Sequence, residues 1–334
     1  KINQDRGCVV YPYNGKKDEA LFIVLDGHGD QGDLISEFVM RQIVISLEKD
    51  PQLNEDPVSA LKNAFVQTNA ALLVTKINYI TSGCTTVAVY VRNNKLWVAN
   101  VGDSRAVMAY KEGDKMLSKD LSRDHKPDDP EEMARIISWG GFVCPPAEEG
   151  LSARVYLDSQ FTMIGLAMAR SIGDHAVKAV GVIPEPEVMI FDLDPADEFM
   201  IMASDGVWEF ISSQEAVDIV SKNLHLGYHE ACQVLIETAA TRWQEEEGDY
   251  RDDVSRLLAV FMHTFVFRIR SGASFSIYAC SHNLPPSSLI ADYRCRLQVP
   301  PGVRNSCTST CRSSRKRTGL ELRQNDSRVD FVLL

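Results

Sequence analysis

The chain has 334 residues, 45% of them apolar, with 46 Asp and Glu against 35 Lys and Arg for a net charge of −11. That length and apolar share suit a folded core and exclude a collagen-like or wholly disordered chain, while the acidic balance disfavours nucleic acid as a ligand and suits collection of divalent cations. Four cysteines (Cys8, Cys84, Cys144, Cys232) are spread along the first 233 residues and four (Cys280, Cys295, Cys307, Cys311) sit near the end. No disulfide framework follows from that spacing, and reduced thiols in a cytoplasmic, or else nuclear, compartment are expected.

In chain order, the continuous apolar run Leu21-Phe22-Ile23-Val24-Leu25 reads as a buried strand that delivers Asp26-Gly27-His28-Gly29 to a sheet edge. That cluster combines a carboxylate suited to hard cations, a turn and a candidate proton donor; an ordinary Asp-Gly turn is the plain alternative. Apolar spacing predicts a helix over 34–47, and Asp56-Pro57 opens a second that should run to about Lys76. Residues 86–91 and 95–101, separated by Asn93-Asn94, have the pattern of a hairpin.

Further strands are expected at 106–110, 187–191, 198–203 and 254–262, and Asp129-Pro130-Glu131-Glu132 reads as a helix start with an acid at the N-cap. The stretch 144–160 is rich in acids and Pro and short on regular pattern. Ser212-Ser213-Gln214-Glu215 is a capping box ahead of 216–220, and 228–246 forms an amphipathic helix. Strands clustered together, with helices at both ends of the order, argue for α+β architecture with mostly antiparallel pairing.

Three more Asp-bearing turns flank apolar runs: Gly102-Asp103-Ser104-Arg105, Ser204-Asp205-Gly206 and Arg251-Asp252-Asp253. Carboxylates that converge from strand ends must bind a cation or lose their charge. All-oxygen ligation suits magnesium or manganese, and the chain has neither a His-Glu-x-x-His helix nor paired Cys-x-x-Cys sets for zinc.

Eight blocks in order carry a family resemblance: Asn3-Gln4-Asp5, Asp26-Gly27-His28-Gly29, Ser82-Gly83-Cys84-Thr85-Thr86, Val101-Gly102-Asp103-Ser104-Arg105, Leu121 to Pro127, Ala169-Arg170-Ser171-Ile172-Gly173-Asp174, Ser204-Asp205-Gly206-Val207-Trp208 and Arg251-Asp252-Asp253. Together they resemble the metal-dependent protein phosphatases of the type 2C family, from Lys1 to about Met262. Two phrases, at 164–171 and 208–217, look most like plant and protist members. The resemblance implies a sandwich of two mostly antiparallel sheets flanked by helices, in four αββα layers.

It also implies a Ser/Thr phosphatase dependent on two Mg²⁺ or Mn²⁺ ions, with room for a third. Asp26 would bridge two cations and the Gly27 carbonyl would ligate one; Asp205 and Asp252 would complete the set. Asp103 matches the acid of a third, weaker site, and Asp5 matches one that contacts metal-bound water. A water held between two cations loses its proton near neutral pH and attacks phosphorus in line. His28 is the candidate general acid for the leaving alkoxide, with fixing of the turn by a hydrogen bond as its other reading. Gly173-Asp174 could be no more than a helix-terminal turn, and the block around His125 reads as scaffold.

The implied substrates are phosphorylated proteins, and a monomer is expected. The alternative is a catalytically impaired pseudophosphatase that binds a phosphoprotein or a kinase; the presence of every metal-position acid favours the enzyme. A hydrolase for small phosphate esters would share the metal chemistry, but no nucleotide-type Gly-rich loop supports it. The resemblance also implies a phosphate-holding Arg ahead of Asn3, upstream of Lys1, and a flap bordering the cleft near Val182-Ile183-Pro184.

Composition divides the chain into a catalytic domain over 1–262, its N-terminus expected to be incomplete, and a basic, poorly ordered tail over 263–334. Residues 265–334 hold eleven Lys and Arg against four Asp and Glu, a net of +7, which leaves −18 for the remainder. The apolar stretch 261–269 is too short to span a membrane and is broken by His263 and Arg268.

Overall fold

The computed structural model describes residues 2–146 and 152–248, together with the backbone of 255–259, 277–281 and 331–333. The first strands, β1 (Arg6–Val10) and β2 (Glu19–Leu25), pair antiparallel, and all seven residues of β2 are buried, as an apolar run with sheet neighbours on both sides requires. A two-residue strand β3 (Gly27–His28) leads to helices α1 (Gly32–Lys49) and α2 (Pro57–Ala71). Asp56 caps α2 by accepting from the Ser59 amide at 3.1 Å, with Pro57 in the first turn. The α-helix stops short of the expected Lys76 and passes into a 3₁₀ turn at Leu72–Val74, where exposed Leu73 and Val74 mark the end of its apolar stripe.

After β4 (Gly83–Cys84) comes the expected hairpin of β5 (Thr86–Arg92) and β6 (Lys95–Val101). Asn93 and Asn94 take φ of 50° and 63°, the left-handed pair that a two-residue hairpin loop demands. Next, β7 (Arg105–Glu112) pairs with β8 (Lys115–Asp120), a strand with only Met116 and Leu117 as large apolar residues; pairing with β7, more than its own pattern, makes it a strand.

The middle of the chain forms α3 (Pro130–Ser138), β9 (Phe142–Cys144), β10 (Arg154–Tyr156), β11 (Ile172–Gly173) and the single turn α4 (His175–Lys178). β10, which pairs with β9, falls within the stretch expected to be irregular. Then follow β12 (Glu187–Asp192), β13 (Asp197–Ala203), α5 (Asp205–Trp208), α6 (Ser213–Asn223), α7 (Tyr228–Glu247), β14 (Ser255–Ala259), β15 (Ile277–Ser281) and β16 (Phe331–Leu333). Ser212 caps α6 through the Glu215 amide, while the Glu215 carboxylate pairs with Arg242 of α7.

Two large antiparallel sheets result, ordered β12-β6-β5-β2-β1-β16 and β15-β14-β13-β7-β8, beside the small sheets β11-β4-β3 and β10-β9. The architecture is α+β, as expected. Alternate residues of β2 serve two cores: Leu21, Ile23 and Leu25 pack with Ile35, Val39 and Ile43 of α1 and Phe65 of α2, whereas Phe22 and Val24 join Met108, Met200 and Met202 of the second sheet. The other face of that second sheet packs Val107, Phe199 and Ile201 on Val217, Leu235 and Ile236 of α6 and α7. Each such side chain stabilises the fold by about 1.5–3 kcal/mol through burial, which fixes the strand ends where the acidic turns begin.

Candidate functional site

The turn after β2 is fastened from below. The Asp26 amide donates to Thr85 Oγ1 at 3.0 Å, the Asp26 carbonyl accepts from the Thr85 amide at 2.9 Å, and Thr85 Oγ1 also meets Ser104 Oγ at 2.6 Å. The loops bearing Asp26 and Asp103 are therefore joined through one buried hydroxyl pair. Gly27 allows a close approach: a Cβ there would strike the carbonyl oxygens of Gln4 and Gly32. Gln4 in turn donates to the Gly29 carbonyl at 2.7 Å, so residues 4–5 lie over this turn. Buried Asp5 accepts from Ser204 Oγ at 3.0 Å, which brings the start of the chain to the residue preceding Asp205.

His28 lies on the small sheet β11-β4-β3, where Gly83 faces His28 on one side and Gly173 on the other. Its Nε2 is 2.8 Å from Asp174 Oδ2, and its buried Nδ1 has no hydrogen-bond partner among the described residues. Burial pulls the imidazole pKa down, but the charge and hydrogen bond of Asp174, with Asp103 farther off, outweigh it and hold it above the ordinary value. Burial would raise Asp174, yet His28 and Lys178 hold it low. Burial pulls the Lys178 ammonium down to about 8, offset in part by Asp174 and Cys84.

Asp103, 1% exposed, accepts from Lys126 Nζ at 2.9 Å through Oδ2, while its Oδ1 is buried with no hydrogen-bond partner among the described residues. Burial disfavours the Lys126 charge, but Asp103, then Glu209 at 3.8 Å and Asp205, more than restore it and keep the ammonium well above its usual range. His125 is built into the frame: its Nδ1 accepts from the Gly102 amide at 3.2 Å and its own amide donates to the Gly102 carbonyl at 2.9 Å. Arg105 clamps Asp124 with two bonds of 2.9 and 2.7 Å and stacks on Trp208.

Among the described residues no three His, Cys, Asp or Glu side chains form a ready-made metal-holding group. Asp252 lies outside the described residues. The donors that are described still fit a hard cation: Asp26, Asp103, Asp205 and Asp5 offer oxygen only, Asp103 Oδ1 is buried without a hydrogen-bond partner among the described residues, and the lack of a side chain at Gly27 lets its backbone sit against Gln4 and Gly32.

Residues 3–248 match the family model described as Protein phosphatase 2C. The chain belongs to the protein phosphatase 2C family. Within it, the chain is 34% identical over 276 residues to a probable protein phosphatase 2C 35 of Arabidopsis thaliana, covering 77% of this chain and 78% of that protein. It is also 34% identical over 270 residues to a probable protein phosphatase 2C 64 of Oryza sativa subsp. japonica, covering 78% of this chain and 62% of that protein. Among solved structures, a serine-threonine phosphatase 2C from Toxoplasma gondii superposes with a TM-score of 0.69 at 24% identity, over 78% of this chain and 91% of that one; at this identity the likeness speaks for the fold.

Two pairings at the site carry no local signal, although Lys126 and Asp174 both lie in the blocks that resemble the family. Lys126 is 23 positions from Asp103, and Asp174 is 146 from His28. Only the fold brings either pair together.

Proposed function

We propose that this protein phosphatase 2C member is a cation-dependent serine/threonine phosphatase. Asp26, the Gly27 carbonyl, Asp205 and Asp252 would hold two Mg²⁺ or Mn²⁺ ions, Asp103 would contribute to a third, and Asp5 would act through water. When bound, such ions neutralise the phosphoryl charge and lower the pKa of a water. The observation that carries the reading is the junction of turns: Thr85 and Ser104 tie the Asp26 and Asp103 loops together, and Asp5 reaches Ser204 beside Asp205.

In the reaction, the oxygen of water attacks phosphorus and the bond to the seryl or threonyl oxygen breaks with its electron pair on that oxygen. His28 gives it a proton, and the water's own proton is lost to solvent, leaving orthophosphate and a free hydroxyl. Thr85 and Gly27 fix the Asp26 turn beside His28, so the donor and the acidic cradle move as one unit.

The test is phosphate release from a phosphothreonine peptide by the full chain, titrated with Mn²⁺ and Mg²⁺ against chelator, beside Asp205→Asn. Release that needs a cation and disappears in the variant supports the reading. A folded, cation-binding protein that releases none would point instead to a phosphoprotein-binding module, or to the lack of the phosphate-holding Arg expected ahead of Asn3.

A further inference from the structure

The sheet β11-β4-β3 is only three strands of two residues, too small to be a source of stability in itself. Its register nevertheless sets His28, Gly83 and Gly173 in one row, with Asp174 immediately beyond. In a row of directly opposed residues the side chains project to the same face. The central position is glycine, and a Cβ built on Gly83 would collide with the Asp174 carboxylate. The imidazole and the carboxylate thus meet across a strand kept bare between them.

Asp174 adopts φ 47° and ψ 46°, a left-handed conformation that costs a side-chain-bearing residue free energy and persists only where its surroundings fix it. Its surroundings do so: the Asp174 amide donates to the Ser82 carbonyl at 2.9 Å, and the next two amides donate to Tyr79 and Ile80 at 3.0 Å each. Lys178 closes the turn, with Nζ donating to the Ser171 carbonyl at 2.7 Å and to Ser171 Oγ at 2.9 Å. The carboxylate is 7% exposed, so it has little water to lean on and its partner is the imidazole.

We propose that Asp174 is the positioning residue of His28: its carboxylate takes Nε2–H, fixes the ring's tautomer and direction, and leaves Nδ1 as the nitrogen that serves the leaving group. A hydrogen bond at one ring nitrogen sets what the other can do. The inference rests on the acid role given to His28 above. In this role Asp174 acts through the imidazole, and Gly83 keeps the path between them open.

The experiment compares wild type, Asp174→Ala, Asp174→Asn, His28→Gln and the Asp174→Ala/His28→Gln double variant on two substrates with saturating Mn²⁺. One is a phosphothreonine peptide, whose alkoxide needs a proton; the other is p-nitrophenyl phosphate, whose phenolate leaves without one. Asp174→Ala should lower kcat on the peptide about 100-fold, the lower end of general-acid contributions, with KM within about 2-fold and p-nitrophenyl phosphate turnover within about 3-fold. Asp174→Asn keeps the shape and an acceptor and should fall between, and in the double variant the two losses should not add.

Because Asp174→Ala removes a buried group, the near-isosteric Asn variant carries the same test if Ala does not fold. Leaving-group sensitivity in His28→Gln but equal loss on both substrates in the folded Asp174 variants would overturn this proposal alone. Equal loss on both substrates in His28→Gln would overturn the acid reading and this proposal with it.

Discussion

Glu132→Gln tests the clamp that joins α3 to the segment leading into β11. Glu132 is 1% exposed and accepts from Arg135 Nη2 at 2.6 Å, from Arg170 Nη2 at 2.6 Å, and from Arg170 Nε at 3.0 and 3.1 Å. Burial alone would push this carboxyl up, but the two guanidiniums outweigh it and pull its pKa from 4.5 down to about 2. A displacement of that size is worth ~3 kcal/mol of preference for the ionised form. The two Arg side chains keep some contact with water, and screening leaves about 2 kcal/mol. Gln preserves the shape but turns an amide NH₂ toward guanidinium donors, so the loss at pH 7 should be at least that large. With an m-value of roughly 2 kcal/mol/M the urea midpoint should fall by about 1 M.

The sign with pH follows from the depressed pKa. The clamp's contribution is fully present above the unfolded value of 4.5 and is lost as pH falls from there toward about 2. Urea curves for both proteins, stepped downward from pH 7, should therefore converge only below pH 4.5. A midpoint difference under roughly 0.3 M at pH 7, far below what a broken buried pair costs, would refute the reasoning, as would a gap that closes between pH 7 and pH 5.

Further outcomes follow from other contacts. Gly27→Ala forces a methyl against two backbone oxygens, and should cost about 1–3 kcal/mol in a melting experiment while abolishing cation-dependent phosphate release; retention of both would contradict the tight turn. Lys126→Met leaves the Asp103 carboxylate without its 2.9 Å ammonium partner, so the cation-free protein should lose roughly 3 kcal/mol, and Mn²⁺ should raise its melting temperature more than it does for wild type. In the native protein, Cys144, half-buried, should react with an aromatic disulfide reagent before Cys8, which is buried with its pKa pushed up to about 12, and before Cys84, likewise buried and raised; peptide mapping reads the order.

Where a local signal and the tertiary context agreed, the fold was legible. The apolar run of β2, the Asn93-Asn94 turn, the Asp129-Pro130 start of α3 and the Ser212 cap of α6 each carry their instruction within a few residues. β8 could not be read, because a half-exposed strand with little apolar content is defined by its neighbour. β10 was hidden for the same reason, and α2 was overextended because Leu73 and Val74 suggest a stripe that the surface does not bury. In the candidate site, Asp26, Gly27 and His28 stand at the end of the buried strand as their order suggested, and Asp205 opens α5. The bond from His28 to Asp174 and the amine on Asp103 depend on turns brought together across the chain, which no local pattern encodes.

Two of the four tryptophans hold the turn that begins α5. Trp208 Nε1 donates to the Ala203 carbonyl at 2.9 Å, and Trp243 Nε1, from the far end of α7, donates to the Gly206 carbonyl at 2.8 Å. Both indoles are nearly sealed from water, 6% and 7% exposed, with Asp205 between the carbonyls they bond. The protein thus carries an optical probe already mounted at its own acidic turn. If the proposed cations bind at Asp205, emission from those rings should change as they do, in the unlabelled chain and with no substrate present.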